Sequence, residues 1–383
     1  MHVLLLYRDL NRPGGVPTDL KALCAAMREQ GHEITAVAAS AAGGGPPPVG
    51  VTRSLNLDHP GQILRLRKQL TGHRFDIAWV ISLLHPWNTV MRALMYRAAI
   101  PLCVAPNGHA VSPDVLNHRF GEKRGFPLNK QMKMLHLRCV DRPLLKDATV
   151  VRALSPWEAT QVIDMGARRC IVVPEGFPEP VTADETTSTA SRSKVFGYLG
   201  RLAITQKGLD LLVPAARIVA AELGSQAFRI LVAGPSVMGS RDRLQREAER
   251  AGMTNIEFLG PLSRNEKPAF WRACDFFLHP SRYEGMSRAA REAVSQGLPL
   301  LASKESNMGD WVADEGFGYQ VAPTVESVAE GMVLACGVQR DVDTSMRQRA
   351  RKFSLRWSWA AVAHELSAGF ADASAIATGK RGK

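Results

Sequence analysis

Two glutamates, Glu284 and Glu292, stand eight residues apart in the stretch SRYEGMSRAAREAVSQGLPLLAS. Gly285 indicates that Glu284 lies in a loop, whereas good helix formers surround Glu292. A helix is therefore predicted to begin at Met286 or Ser287. The first backbone N–H groups of a helix are unpaired and carry the positive end of its dipole, so this helix start can bind a phosphate group.

The two carboxylates would repel that phosphate unless they contact hydroxyl groups of the same ligand. Glu284, beside the helix start, is suited to accept hydrogen bonds from sugar hydroxyls. Glu292, inside the helix, is suited to accept them from a ribose diol. From these residues alone, a pair of solvent-exposed glutamates on an ordinary helix is the alternative.

A pair of cations lies in the stretch YLGRLAITQKGLDLL. Arg201 follows a predicted strand and Lys207 opens a predicted helix, so both would reach the carboxyl end of that strand. Two cations there would neutralise a diphosphate, above all one that acts as a leaving group. Two solvated loop cations are the alternative.

Strands and helices that alternate along the chain must position these residues. The apolar run at 2–7 predicts a strand buried on both faces, and Gly14-Gly15 predict a turn before a helix that Thr18 or Asp19 would cap. Glycines in this turn would let the backbone approach a ligand closely, although the dinucleotide-binding fingerprint Gly-x-Gly-x-x-Gly is absent here. Further strands are predicted within 33–39, 75–84, 100–106, 147–155, 170–176, 195–202, 228–234, 256–260, 275–280 and 299–303.

The predicted elements divide the chain into two α/β domains. Residues 1–177 form the first, the polar stretch 178–194 is a linker, and a second alternation fills 195–355. Residues 356–372 are predicted to form a helix that packs back on the first domain, and 373–383 a disordered tail. We therefore predict two Rossmann-like, doubly wound domains that face each other across a cleft, with ligands at the carboxyl ends of the strands.

The composition limits the class of protein. The chain has 383 residues, 45% of them hydrophobic and 22% charged, as in globular proteins of more than one domain. Its net charge of +12 suits nucleic acid, anionic lipid or a phosphorylated substrate. The basic residues are spread out without a nucleic-acid-binding motif, so no nucleic acid is expected. The six scattered cysteines suit reduced thiols in a cytoplasmic protein, and neither a secretory signal nor a membrane-spanning run is expected.

Three motifs occur together in the order typical of one enzyme family. The chain resembles the glycosyltransferase family 4 group of GT-B enzymes, which has a Gly-Gly loop after the first strand, a Gly-Arg and Lys-Gly segment opening the second domain, and a Glu-x7-Glu motif. The resemblance spans nearly the whole chain. In this sequence the motifs are Gly14-Gly15, Gly200-Arg201 with Lys207-Gly208, and Glu284 with Glu292.

The resemblance implies a retaining transfer of a sugar from a nucleotide-sugar donor to a saccharide or lipid-linked acceptor, as in surface polysaccharide or glycolipid assembly. It implies that Arg201 and Lys207 hold the diphosphate and that Gly14-Gly15 lie against it from the other side. Glu284 and the backbone of Gly285, Met286 and Ser287 would contact the donor sugar and phosphate, and Glu292 the ribose. No metal or other cofactor is expected, because the two cations and the helix start replace it.

The sequence departs from the family pattern at several positions. Asn107 occupies the place of a family histidine near the donor sugar, and His109 lies two residues on; either is a candidate for that contact, with His109 slightly favoured. His85 is a candidate for the acceptor side, with ordinary packing as the alternative. Glu175 replaces the usual Asn at a position that supports the hinge. The Asp-Val-Asp at 341–343 resembles a metal-binding pattern but is predicted to lie on the surface.

Two other functions remain open: a GT-B sugar synthase with a soluble acceptor, and a non-catalytic homologue that binds a nucleotide-sugar. The basic stretch 117–146 mixes Arg and Lys with Phe, Leu and Met side chains. Our hypothesis is that this face meets an anionic membrane, which would place the protein peripherally at the inner face of the membrane. A solvated helix face is the alternative.

Overall fold

The structure is a computed structural model that describes residues 1–7, 14–38, 53–56, 70, 75–83, 87–108, 127–180 and 193–379. These residues belong to two compact units, each built on a parallel sheet flanked by helices. The first unit takes the described residues up to 176 and those from 357 onward, and the second takes those from 177 to 356. The predicted α/β class of two doubly wound domains is confirmed.

In the first unit, the described residues form a seven-stranded sheet in the order β3-β2-β1-β4-β5-β6-β7, and every neighbouring pair is parallel. Apolar runs such as Val3–Leu6 are buried because helices cover both faces of such a sheet. The strands are β1 His2–Tyr7, β2 Glu33–Ala38, β3 Arg53–Asn56, β4 Ile77–Ile81, β5 Leu102–Ala105, β6 Val150–Ala153 and β7 Cys170–Val172. The helices are α1 Gly15–Glu29, α2 Trp87–Ala98, α3 Pro127–His136, α4 Arg142–Asp147, α5 Pro156–Asp164 and, at the end of the chain, α14 Trp359–Gly379.

In the second unit the described residues form a six-stranded parallel sheet in the order β10-β9-β8-β11-β12-β13. Aromatic side chains fill its core, and Phe196 packs against both Phe228 and Phe276. The strands are β8 Lys194–Leu199, β9 Phe228–Ala233, β10 Ile256–Gly260, β11 Phe276–His279, β12 Leu300–Ala302 and β13 Gly318–Gln320. The helices are α6 Ile204–Lys207, α7 Leu212–Leu223, α8 Ser240–Arg250, α9 Lys267–Ala273, α10 Arg288–Ser295, α11 Gly309–Glu315, α12 Val325–Cys336 and α13 Arg340–Arg356.

The start of α1 corrects a prediction. The helix begins at Gly15, before the predicted caps Thr18 and Asp19, and its N-cap residue Gly14 makes no side-chain cap. The Thr18 hydroxyl donates to the Gly14 carbonyl at 2.8 Å, as residues four apart in a helix can. Gly14 and Gly15 therefore form the first turn of the helix, where its backbone N–H groups lack intrahelical partners.

The predicted disordered tail is wrong over residues 373–379, because α14 continues to Gly379. The helix packs against the sheet of the first unit, where the rings of Phe370 and Trp79 lie 5.6 Å apart in an edge-on contact. Ala373 is also buried in that core. Alanine is the best helix former, so the small residues after Phe370 extend the helix. Residues 380–383 lie outside the described residues.

The acidic pattern at 341–343 is also corrected. Asp343 was predicted to lie on the surface, but it is only 2% exposed in α13. Its carboxylate accepts a hydrogen bond from the Arg347 side chain one turn later at 3.0 Å. Arg347 also lies 3.6 Å from the Asp275 carboxylate just before β11. The arginine therefore pairs with both acids, and its charge offsets part of the cost of burying Asp343 in the second unit.

None of the described helices is both long enough and apolar enough to cross a bilayer.

Candidate functional site

Two loops meet at the carboxyl edge of the second unit's sheet. One follows β8 and carries Arg201 and Lys207, and the other follows β11 and carries Glu284. β8 and β11 are hydrogen-bonded neighbours, so their carboxyl ends bring the two loops together. Gly208 has a φ of +67°, and a Cβ there would lie 2.2 Å from the carbonyl oxygen of Pro280. Only glycine allows the chain after Lys207 to pass this close to the second loop.

Lys207 and Glu284 are in direct contact. Lys207 is the last residue of α6, and its ammonium group donates to the Glu284 carboxylate. Their side chains are only 10% and 17% exposed. Lys207 was predicted to open a helix, but Gly208 takes the left-handed conformation and ends the short helix α6. The structure therefore brings together two residues that the sequence placed in separate motifs.

A second ion pair fixes the spacing of the two loops. The Arg282 guanidinium donates to both carboxylate oxygens of Asp210, at 2.7 and 2.8 Å, and to the carbonyl of Thr205 at 2.9 Å. The Arg282 backbone N–H also donates to the carbonyl of Gln206 at 2.9 Å. Such a two-pronged pair fixes orientation as well as distance. Sequence reasoning missed this pair, although each member lies within three residues of a predicted site residue.

Arg201 lies at the same edge with its side chain exposed. The Tyr198 hydroxyl donates to the Arg201 carbonyl at 2.9 Å and anchors its backbone. Burial raises the pKa of Tyr198 well above its usual value; the charge of Glu284 raises that pKa further and the charge of Arg201 opposes the rise. Arg201 and Glu284 therefore both act on one buried hydroxyl at the end of β8.

The start of α10 lies next to Glu284. Ser287 is the N-cap residue and makes no side-chain cap, Met286 and Ser287 are buried, and Gly285 is half-buried. Asn307, fully buried, donates from its side chain to the carbonyls of Glu284 and Gly285, at 3.0 and 2.8 Å. This amide holds the backbone that leads into the helix. Asn307 was not found from the sequence, because its side chain acts only on backbone atoms.

Glu292 lies inside α10, and cations contact both of its oxygens. Lys267 donates to Oε2 at 2.8 Å, and the Arg288 side chain, one turn earlier, lies 3.3 Å from Oε1. The Glu292 side chain is 15% exposed. Each carboxylate oxygen accepts more than one hydrogen bond, so these contacts leave capacity for a hydroxyl ligand.

His279 ends β11 beside this group and is 1% exposed. Burial first, and the charge of Lys207 second, hold its pKa well below the usual value. The imidazole is therefore neutral at physiological pH and adds no charge to the site. Among the described residues, no group of three or more His, Cys, Asp or Glu could hold a metal ion.

The first unit carries the remaining predicted residues at the carboxyl edge of its own sheet. Gly14 and Gly15 begin α1 after β1, and Asn107 follows β5 in a left-handed conformation with φ 51°. Asn107 is buried, and its amide donates to the Glu175 carboxylate at 3.4 Å. His109 and His85 lie outside the described residues.

A buried acid, Glu158, supports the turn after Asn107. Its Oε1 accepts from the Gly108 N–H at 2.6 Å, and its Oε2 accepts from the Leu154 N–H at 2.8 Å. Burial raises the pKa of Glu158 to about 7; Glu175 acts in the same direction, and the two N–H donors and Arg152 oppose it. The available sequence signal was the three-residue spacing of Ser155 and Glu158, which is typical of a capping box at the start of a helix. In the structure the Ser155 side chain accepts a hydrogen bond from the Glu158 N–H at 3.1 Å.

Glu175 belongs to the same buried group. Arg152 is fully buried and donates to the carbonyls of Val173 and Pro174, at 3.0 and 2.6 Å. Its guanidinium also lies 3.5 Å from the Glu175 carboxylate. Glu175 therefore links a buried cation to Asn107, a contact that the sequence did not predict.

Comparison with known proteins gives two domain matches. Residues 14–176 match the family described as glycosyl transferase 4-like domain, and residues 193–336 match the glycosyl transferases group 1 family. An uncharacterized glycosyltransferase of Methanocaldococcus jannaschii is 23% identical over 164 residues, 43% of this chain. A D-inositol 3-phosphate glycosyltransferase of Corynebacterium urealyticum is 29% identical over 216 residues, 52% of this chain. These alignments cover 44% and 50% of the two relatives.

Solved structures share the fold over nearly the whole chain. HepE from Anabaena, in complex with UDP, superposes with a TM-score of 0.68 at 17% identity, over 97% of this chain and 100% of HepE. HepE has also been solved with UDP-glucose. The similarity confirms the predicted GT-B fold class. Residues 14–176 and 193–336 are thus each similar to a glycosyltransferase domain, with the 4-like domain first and the group 1 domain second.

Proposed function

We propose that this protein is a retaining glycosyltransferase of family 4 that moves a sugar from a nucleotide-sugar donor to a saccharide or lipid-linked acceptor, in surface polysaccharide or glycolipid assembly. The observation that carries the proposal is the contact of Lys207 with Glu284 at the start of α10, with Arg201 at the same sheet edge. It pairs a diphosphate-binding group with a hydroxyl-binding group. The UDP and UDP-glucose complexes of HepE support a nucleotide-sugar as the donor.

In this proposal Arg201 and Lys207 bind the diphosphate together with the free N–H groups at the start of α10. Glu284 accepts hydrogen bonds from hydroxyls of the donor sugar. Glu292 accepts them from the ribose, while Lys267 and Arg288 hold its carboxylate in place. The two carboxylates thus contact hydroxyls on either side of the diphosphate.

The chemical step breaks the bond between the anomeric carbon and the diphosphate oxygen, and forms one from the acceptor oxygen to the same carbon. Charge develops on the leaving diphosphate, and Arg201, Lys207 and the helix start stabilise it. The leaving phosphate oxygen takes the proton of the acceptor hydroxyl on the same face, which retains the anomeric configuration. No divalent metal is required in this proposal, since fixed cations supply the charge.

The first test is a thermal-shift screen against UDP-, GDP- and ADP-sugars, because a ligand that binds the native state raises the melting temperature. The sugar-nucleotide that shifts it is then used in a transfer assay with and without EDTA. Arg201→Ala and Lys207→Ala should each lower turnover more than about tenfold, since a charge-assisted contact is worth roughly 1.5–3 kcal/mol. Wild-type turnover in both variants, or loss of activity with EDTA, would contradict these roles.

Two alternatives predict different outcomes in the same assay. A sugar synthase would transfer to a free sugar or sugar phosphate without a lipid-linked acceptor. A non-catalytic homologue would show the thermal shift without transfer to any acceptor.

We further propose that α3 and α4 contact an anionic membrane surface that carries a lipid-linked acceptor. Met132 and Leu135 are each 61% exposed on α3, and the cations Arg138, Arg142 and Lys146 are exposed along the same helical run. Exposed apolar side chains next to cations suit binding at a charged interface.

Flotation with anionic vesicles at low salt tests the membrane contact. Wild type should float with vesicles that contain phosphatidylserine, and Met132→Ser with Leu135→Ser should reduce that fraction. Leu355→Ser is the matched control, because Leu355 is 67% exposed in the other unit. The proposed membrane contact would be refuted if wild type did not float with the vesicles. It would also be refuted if Leu355→Ser lowered the floating fraction as much as the substitutions on α3.

A further inference from the structure

The Lys207 ammonium group has a carboxylate partner that is held in place. Among the described residues Glu284 is the acid that pairs with it. The pair of Arg282 with Asp210 fixes the loop on one side of Glu284, and the Asn307 amide fixes it on the other. Glu284 therefore stays near Lys207 because these two contacts hold the backbone around it.

The two glutamates of the site differ in their cationic partners. Glu292 has two, Lys267 and Arg288, one for each oxygen. Glu284 has Lys207 alone among the described residues, and on one oxygen only. A diphosphate that draws Lys207 away from Glu284 leaves this carboxylate without its cation, whereas Glu292 keeps both of its own.

A partly buried carboxylate that loses its cation is costly unless other donors replace the lost contact. The diphosphate adds to the cost, because two anions a few ångströms apart repel each other. A nucleotide-sugar supplies the missing donors, since its sugar hydroxyls can bond to Glu284. A nucleoside diphosphate without the sugar supplies none.

We propose that Glu284 competes with the diphosphate for Lys207 and so selects the sugar-bearing donor against the bare nucleoside diphosphate. This inference rests on the proposed function, in which both compounds bind at this site. Before transfer, the sugar hydroxyls satisfy Glu284 while Lys207 binds the diphosphate. After transfer the sugar is gone, and Glu284 returns to Lys207 and weakens the hold on the product.

The test compares two dissociation constants in one protein, measured by calorimetry. UDP, GDP and ADP are titrated first, then the sugar-nucleotide of whichever base binds wild type. Glu284→Gln should bind the bare diphosphate roughly tenfold more tightly than wild type, the equivalent of about 1.4 kcal/mol. The same variant should turn over far more slowly, because it loses the ionised acceptor for the sugar hydroxyls.

Glu257→Gln is the matched control. It makes the same change in an ion pair of the same unit, that of Glu257 with Arg229, where both side chains are more than half exposed. This control should leave both dissociation constants unchanged. Glu284→Asp keeps the charge but shortens its reach, so its affinity for the bare diphosphate should lie between those of wild type and Glu284→Gln; it also serves if Glu284→Gln fails to fold.

The outcomes distinguish a failure of this inference from a failure of the proposed function on which it rests. If Glu284→Gln binds the bare diphosphate no more tightly than wild type, Glu284 is a sugar contact only and the competition is refuted. An equal gain in affinity for the bare diphosphate in Glu257→Gln would also refute the competition, because the gain would then come from the changed net charge of the protein. If wild type binds none of the three diphosphates or their sugar derivatives, the proposed function itself fails.

Discussion

The raised pKa of Glu158 makes the stability of the first unit depend on pH. Glu158 is fully buried, and its pKa is raised from 4.5 to about 7, first by burial. Between these two values the folded protein binds a proton that the unfolded chain releases, so stability falls as pH rises. The contribution of Glu158 to the unfolding free energy is fully present below pH 4.5 and is lost as the pH rises through about 7.

The size of the effect follows from the two pKa values. Their difference, at 1.36 kcal/mol per pKa unit, corresponds to about 3 kcal/mol of unfolding free energy between the two pH limits. Glu158→Gln cannot ionise, so it should lack this component. The wild type should therefore lose about 3 kcal/mol more stability than Glu158→Gln between pH 4.5 and pH 7.

Urea unfolding of both proteins at a series of pH values measures the difference between their unfolding free energies. The titration of the groups that the two proteins share cancels in this difference. Amide exchange at Gly108 and Leu154 adds a local measurement, since both N–H groups donate to Glu158. The Glu158→Gln side chain has one acceptor oxygen instead of two, so one of the two amides should exchange faster. Glu29→Gln, at an exposed position of the same unit, is the control. Parallel pH dependence in wild type and Glu158→Gln would refute the reasoning.

Three further sets of substitutions test the contacts described above. Arg282→Asp or Asp210→Arg alone should lower turnover about tenfold, and the double variant with the two charges exchanged should recover part of that turnover. A transfer assay on wild type and these three variants should give a coupling energy of roughly 0.5–3 kcal/mol between the two positions. A coupling energy near zero would argue against a role of this ion pair in positioning the two loops. Gly208→Ala should destabilise the protein by about 1–3 kcal/mol in urea, because the new Cβ meets Pro280, and unchanged stability would contradict the close approach. Phe370→Ala should cost about 3–5 kcal/mol of unfolding free energy, whereas the exposed Leu355→Ala should cost little.

The sequence predicted the elements that carry strong local patterns. The apolar runs of β1 and β11 identified buried strands because few other structures accommodate them. The loop position of Glu284 followed from the neighbouring glycine, since glycine marks a break before a helix. The roles of the individual site residues stay predictions, because they depend on a ligand.

Several of the contacts that the sequence missed join distant parts of the chain. Arg282 and Asp210 are 72 residues apart, and Gly108 and Glu158 are 50 apart. Local propensity does not determine which of many charged residues will meet across such distances. The end of α14 was missed for another reason: small and polar residues suggested disorder, but Ala373 gains its stability from the core on which it packs.

The first unit takes its last helix, α14, from the end of the chain, after all of the second unit. During synthesis the ribosome therefore releases a complete second unit before the first has its final layer. Until then the surface around Trp79 lacks its cover of Phe370 and Leu366. We expect nascent chains that stop before Trp359 to bind chaperones that recognise exposed apolar surface, and to be cleared by proteases sooner than the finished protein.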